Sequence, residues 1–135
     1  MKQRLLVVED DDTLRSLLRR GFPLVEIDNY IMMESGSKAL DVLRAEAENG
    51  RPFDVILTDL DVDPNSANNG LTVLTEAHKL MPAASLWLMT AGLEKTDLKT
   101  GEQAKNGITF TVFSKPFPDF KAFLEALKDE LLKER

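Results

Sequence analysis

The sequence has no cysteine, which excludes disulfide scaffolds, thiolate zinc sites and cysteine nucleophiles together. Cations are in the minority, with 17 Lys and Arg against 23 Asp and Glu and a net charge of -6. That balance is a poor footprint for gripping phosphate backbones, so no direct nucleic-acid partner is expected. No apolar run approaches the roughly 18 residues that suggest a membrane span. Met1-Lys2-Gln3-Arg4 leads into a short apolar run and then acid, which is not a secretory signal. A cytoplasmic protein without a membrane partner is the expectation. What is present fits one globular domain. The 135 residues, 43% apolar and 30% charged, suffice to bury roughly two-thirds of the unfolded surface without staples. The domain fills 1–135, and no output domain is expected.

Short β-branched apolar runs alternate with helical patterns. Strands are expected at Arg4 to Val8, Val25 to Met33, Phe53 to Thr58, Ser85 to Met89 and Thr109 to Phe113. Helices are expected near Thr13 to Arg20, Ser37 to Asn49, Leu71 to Leu80 and Lys95 to Lys105, with a last one from Pro118 onward. The fourth of these is the weakest, since it offers only Leu98 and Ala104 to a core and contains Gly101. Strict β/α alternation calls for a parallel sheet with helices on both faces, because parallel neighbours need crossover connections. Strands such as Leu5-Leu6-Val7-Val8 are apolar without alternation, as expected when both faces are covered.

In such a sheet, ligands bind beyond the carboxyl ends of the strands. The first strand runs into Glu9-Asp10-Asp11-Asp12, the third into Asp59 and Asp61, the fourth into Thr90-Ala91-Gly92, and the fifth into Ser114-Lys115-Pro116. Each residue alone has a plain structural explanation as a helix cap, a turn residue or a solvated charge. Together they place acids, a hydroxyl and a lysine on one edge. Three carboxylates within about 4 Å of one another repel by several kcal/mol per pair at an effective dielectric near 20, and a divalent cation relieves that. All-oxygen ligands point to Mg²⁺. A phosphoryl group held between that ion, a lysine, a hydroxyl and a backbone N–H completes a phosphoryl-transfer site, with Asp59 as the nucleophile.

Four segments, "LLVVEDD" (Leu5 to Asp11), "DVILTDLD" (Asp54 to Asp61), "LMTAG" (Leu88 to Gly92) and "SKPF" (Ser114 to Phe117), resemble the receiver domains of two-component response regulators over essentially the whole chain. The resemblance implies a three-layer α/β fold with a doubly wound five-stranded parallel sheet in the flavodoxin-like order 2-1-3-4-5. It implies phosphorylation of Asp59 by a histidine kinase or phosphotransfer protein, and signalling through contact with a downstream protein rather than turnover of a substrate. Asp10 would ligate Mg²⁺ directly and Glu9 through water, beside Asp59 and the main-chain carbonyl of Asp61. Thr90, Ala91 and Lys115 would hold the phosphoryl oxygens, and Lys115-Pro116 would be a cis peptide. Asp11 is left as a helix-start residue.

Departures from the family pattern are three. Gly70 follows Asp59 by 70 − 59 = 11 residues where the family usually has eight, so the intervening loop is longer. Val112 stands where a switching Tyr or Phe is common, and the fourth helix is polar. Two rival readings stay open: a pseudo-receiver that binds partners without phosphorylation, and a haloacid-dehalogenase-type phosphatase with Asp59 as nucleophile and Asp61 as general acid. The latter family opens on its nucleophile strand, whereas here the acid cluster opens the chain. His78 is expected on the third helix, away from the acid edge, and Trp87 in the core.

Overall fold

A computed structural model describes residues 3–62 and 69–135 of the chain. Its strands are β1 (Leu5–Val8), β2 (Tyr30–Met33), β3 (Val55–Asp59), β4 (Ser85–Thr90), β5 (Gly101–Lys105) and β6 (Ile108–Ser114). Its helices are α1 (Asp12–Gly21), α2 (Gly36–Glu48), α3 (Gly70–Leu80) and α4 (Phe120–Leu132). The sheet order is β2-β1-β3-β4-β6-β5. The first five strands in that order run parallel, as the expected 2-1-3-4-5 arrangement requires. The sixth, β5, is antiparallel to β6.

Two apolar layers sandwich the sheet. Leu6, Val8, Ile56, Leu88, Phe110 and Val112 face α2 and α3, while Leu5, Val7, Leu57, Trp87 and Met89 face α1 and α4. Trp87 is thus a core residue, with its ring 4.5 Å from Phe113 and 5.9 Å from Phe123, centroid to centroid. Alternation of side-chain direction along each strand explains the division, since odd and even positions of one strand fall on opposite faces.

Three expected elements need correction. The helix expected over Lys95 to Lys105 does not form. A 3-10 turn (Leu93–Lys95) and strand β5 take its place, because Asn106 and Gly107 both hold positive φ, +55° and +79°. Those angles make the two-residue hairpin turn that matches the twist of flanking strands. Leu98 still reaches the α2/α3-side core, as its apolar character demands, whereas Ala104 is exposed on the hairpin. The strand expected over Val25 to Met33 is shortened to β2, since Phe22–Val25 forms a 3-10 turn ended by Glu26 at φ +59°. Pro118 precedes α4 rather than opening it; Asp119 caps the helix by accepting from the Ala122 N–H at 3.0 Å.

Asp11 caps α1, its carboxylate accepting from the Thr13 and Leu14 N–H groups, which satisfies donors that a helix start leaves unpaired. His78 is exposed in the last turn of α3. The longer loop expected after Asp59 falls on 63–68, outside the described residues.

Candidate functional site

Strand register assembles the site. Val8 lies opposite Thr58, so the next residues, Glu9 and Asp59, leave neighbouring strands at one level. Asp59 lies opposite Met89 and Thr90 opposite Ser114, which brings Thr90 and then Lys115 to the same edge. The Lys115 N–H donates to the Thr90 carbonyl at 3.0 Å, and the Leu60 N–H to the Met89 carbonyl at 2.8 Å. β1 and β3 flank the point where the chain, having crossed from β1 to β2, turns back across the sheet. That is where open α/β sheets carry their ligand crevice.

One carboxylate oxygen from each of Glu9, Asp10 and Asp59 lies within 4.8 Å of the other two. Glu9 is fully buried and Asp59 nearly so, while Asp10 is exposed. Lys115 reaches across the edge, its Nζ donating to Glu9 Oε1 at 2.8 Å. The same Nζ stands 3.1 Å from Asp59 Oδ1 as an ion pair. Among the described residues, Oδ1 is buried with this ion pair and no hydrogen bond of ordinary geometry. Thr90 is fully buried, and its Oγ1 accepts from the Gly92 N–H at 3.1 Å. Lys115-Pro116 is a cis peptide.

Asp61 is exposed and stands outside the three converging carboxylates. Its charge nevertheless acts on Asp59, pushing that carboxyl up. Val112 is buried against the α2/α3 side, so no ring occupies that position, and Phe113 points to the opposite layer.

Burial dominates the electrostatics. It pushes the Glu9 carboxyl up from 4.5 to about 7, with the Asp59 charge adding and the Lys115 hydrogen bond opposing. Burial raises Asp59 as well, against the charge of Lys115. On Lys115, burial works against the ammonium, but the Glu9 hydrogen bond and the Asp59 charge outweigh it and hold its pKa above the ordinary lysine value. Two desolvated carboxylates sharing one ammonium, and a third exposed one beside them, are an all-oxygen donor set that fits a hard divalent cation.

These shifts make stability depend on pH. Folded Glu9 keeps its proton up to about pH 7, whereas the unfolded chain releases it near 4.5. Its contribution to stability is therefore full below the unfolded value and is lost as pH rises through the folded one. Lys115 stays charged throughout this window. In chelator, the protein is expected to be less stable at about pH 8 than at about pH 5 by on the order of 1–2 kcal/mol from this group. Urea unfolding at both values checks the sign, and Glu9→Gln is expected to flatten the difference.

One contributor lies beyond the residues that the sequence pattern marks. Arg15 donates from NH1 to the Glu9 carbonyl at 2.8 Å. Its signal in the sequence is modest: a basic residue three after Asp12 on an amphipathic helix, a spacing that places the two side chains together.

No family model matches the sequence, and no curated protein matches it significantly. Solved structures do. A CheY-like response regulator receiver domain protein from Methanospirillum hungatei superposes with a TM-score of 0.68 at 21% identity, over 97% of this chain and 94% of that one. The receiver domain of the hybrid histidine kinase CckA gives 0.68 at 23%, over 95% and 98%. The receiver domain of a sensor histidine kinase from Pseudomonas aeruginosa gives 0.69 at 16%, over 97% and 98%; that structure has a magnesium ion coordinated in its active site cleft. The chain thus has the fold of response regulator receiver domains. No helix among the described residues is long and apolar enough to cross a membrane.

Proposed function

We propose that the protein is the phosphoacceptor of a two-component phosphorelay, taking a phosphoryl group onto Asp59 and signalling by contact with another protein. The observation that carries this reading is the buried Asp59 carboxylate, ion-paired with Lys115 at 3.1 Å and converging with the carboxylates of Glu9 and Asp10. A carboxylate at that place is a nucleophile held beside a cation that can receive the phosphoryl oxygens. In the transfer, an Asp59 oxygen bonds to phosphorus as the phosphorus–nitrogen bond of a donor phosphohistidine breaks. The electron pair stays on the imidazole nitrogen, which takes a proton from solvent, and an acyl phosphate remains.

Glu9, Asp10 and Asp59, with the Asp61 main-chain carbonyl, are the groups to hold Mg²⁺, which when bound offsets negative charge on the phosphoryl oxygens. Lys115 pairs with those oxygens. Thr90 exchanges its Gly92 contact for one of them, and the Ala91 N–H meets the same oxygen. The fold's relatives from histidine kinases support a kinase or phosphotransfer protein as the donor.

Purified protein given Mg²⁺ and acetyl phosphate is expected to gain one phosphoryl group by intact mass, and Asp59→Asn to gain none. An unchanged wild type supports the pseudo-receiver instead, and steady turnover of p-nitrophenyl phosphate supports the phosphatase. Asp61 bears on the lifetime of the product. Its exposed carboxylate, two residues beyond the acceptor, repels an attacking hydroxide-like water, so Asp61→Asn is expected to shorten the phosphoryl half-life by roughly threefold. A longer half-life in the variant overturns the repulsion argument.

A further inference from the structure

The turn that joins β1 to α1 carries two of the three converging acids, and its shape decides where they point. Glu9 closes β1, where its N–H still donates to the Met33 carbonyl at 3.0 Å. Its own carbonyl has left the sheet ladder. Arg15, one turn into α1, reaches back and donates from NH1 to that carbonyl at 2.8 Å. The second guanidinium nitrogen, NH2, is held by the Asp12 carboxylate at the start of the same helix. The fork is therefore fixed at both tines. The side chain is only 12% exposed, although Asp12 is almost wholly in solvent. At the other end of the turn, the Asp11 N–H donates to Glu9 Oε2 at 3.3 Å. The main chain of Glu9 is thus held from α1 and its side chain from the residue that caps that helix.

We infer that Arg15 is a positioning residue for the divalent cation: it sets the geometry of the Glu9-Asp10 turn through the Glu9 carbonyl, with Asp12 orienting its guanidinium. This inference rests on the reading that Glu9, Asp10 and Asp59 hold Mg²⁺. Its interest lies in the sign it dictates. A cation beside a metal site weakens metal binding by Coulomb repulsion, so on charge alone removing Arg15 tightens Mg²⁺ and removing Asp12 loosens it. Positioning reverses the first of these. A guanidinium supplies two directed donors in a rigid fork, and an ammonium cannot reproduce both. Lys at this position keeps the charge and loses the clamp. Groups that orient metal ligands typically carry tenfold or more in affinity.

The test is a titration of the metal-free full chain with Mg²⁺, and separately with Ca²⁺, read by Trp87 fluorescence and by calorimetry. Arg15→Lys and Arg15→Met are each expected to weaken Mg²⁺ by about tenfold. Asp12→Asn is expected to weaken it too, and the losses in the Arg15→Met, Asp12→Asn double variant to be less than additive, since both act through one contact. Mg²⁺ demands near-ideal octahedral geometry while Ca²⁺ tolerates irregular sites. The loss is therefore expected to be larger for Mg²⁺ than for Ca²⁺, a difference that general loosening of the fold does not produce. Tighter Mg²⁺ in Arg15→Met with unchanged affinity in Arg15→Lys overturns the inference and leaves a pure charge effect. Equal losses for the two metals also overturn it. A wild type that binds no Mg²⁺ brings down the phosphoacceptor reading along with it.

Discussion

Gly70→Ala is expected to lower the unfolding free energy by about 2–3 kcal/mol and to cut phosphoryl uptake by about a hundredfold. A Cβ at Gly70 would stand 2.3 Å from the Asp59 carbonyl oxygen, 2.8 Å from Leu60 Cα and 2.9 Å from the Asp59 carbonyl carbon. All three are main-chain atoms, so no side chain can swing aside. The Gly70 N–H also donates to the Leu60 carbonyl at 3.0 Å, which ties the start of α3 to the residue after the acceptor. Relief requires either α3 or the Asp59 peptide to move, and displacing a reacting group by about 1 Å is costly in rate. Gly50 is the control. Its φ is +66° but a Cβ there meets nothing within 4 Å, so Gly50→Ala is expected to cost only about 1 kcal/mol and to leave uptake intact. Gly21 falls between, since its Cβ would meet only the side chains of Leu124 and Phe120. Urea unfolding and the rate of mass gain measure both effects. Wild-type uptake in Gly70→Ala contradicts the close packing of α3 against the acceptor.

The second large effect is expected in hydrogen exchange when Mg²⁺ and beryllofluoride, a phosphoryl mimic, are added. Thr90 Oγ1 accepts from the Gly92 N–H, and a contact from Thr90 to a phosphoryl oxygen ends that arrangement at the first residues of the β4–β6 crossover. The rest of the crossover is held by the buried Leu98, the Asp97–Lys105 ion pair at 3.0 Å and the β5–β6 ladder. Turning an inactive majority into an active one takes about 5.5 kcal/mol of differential stabilisation. Two charge-assisted contacts at roughly 1.5–3 kcal/mol each approach it. With Val112 in place of a ring, the change has to be carried by main chain, and severalfold changes in exchange are expected across Ala91 to Gly107. Changes confined to residues that touch the mimic would remove the β5 hairpin as the responding element.

Those same residues mark where the sequence is readable and where it is not. Strand ends are legible because apolar runs stop abruptly at acids, at Thr90 and at Ser114-Lys115, and a parallel sheet collects such ends on one edge. The strands buried on both faces are legible for the same reason. The β5 hairpin reads as a helix although its own signal is present. Asn106-Gly107 stands before alternating Ile108, Thr109, Phe110, Thr111 and Val112, the pattern of a two-residue turn into a strand. A polar segment after β4 in strict β/α alternation favours helix instead, and Gly101 at φ +95° is a strand start where the helical reading makes it a cost. Pro23 and Glu26 shorten β2 through local turn geometry that an apolar run conceals. Arg15 is only faintly marked, for another reason: its contact is with a main-chain carbonyl, which sequence patterns do not show.

Borohydride reduction of the phosphorylated protein, followed by peptide mapping by mass spectrometry, tests the assignment of Asp59 most directly. Reduction converts the acyl phosphate carbon to an alcohol, leaving homoserine where the phosphoryl group had been. Homoserine is expected at position 59 alone, and only when Mg²⁺ accompanied the phosphodonor. Homoserine at Asp10, Asp11 or Asp61, or its formation in full yield in chelator, would contradict the site described above.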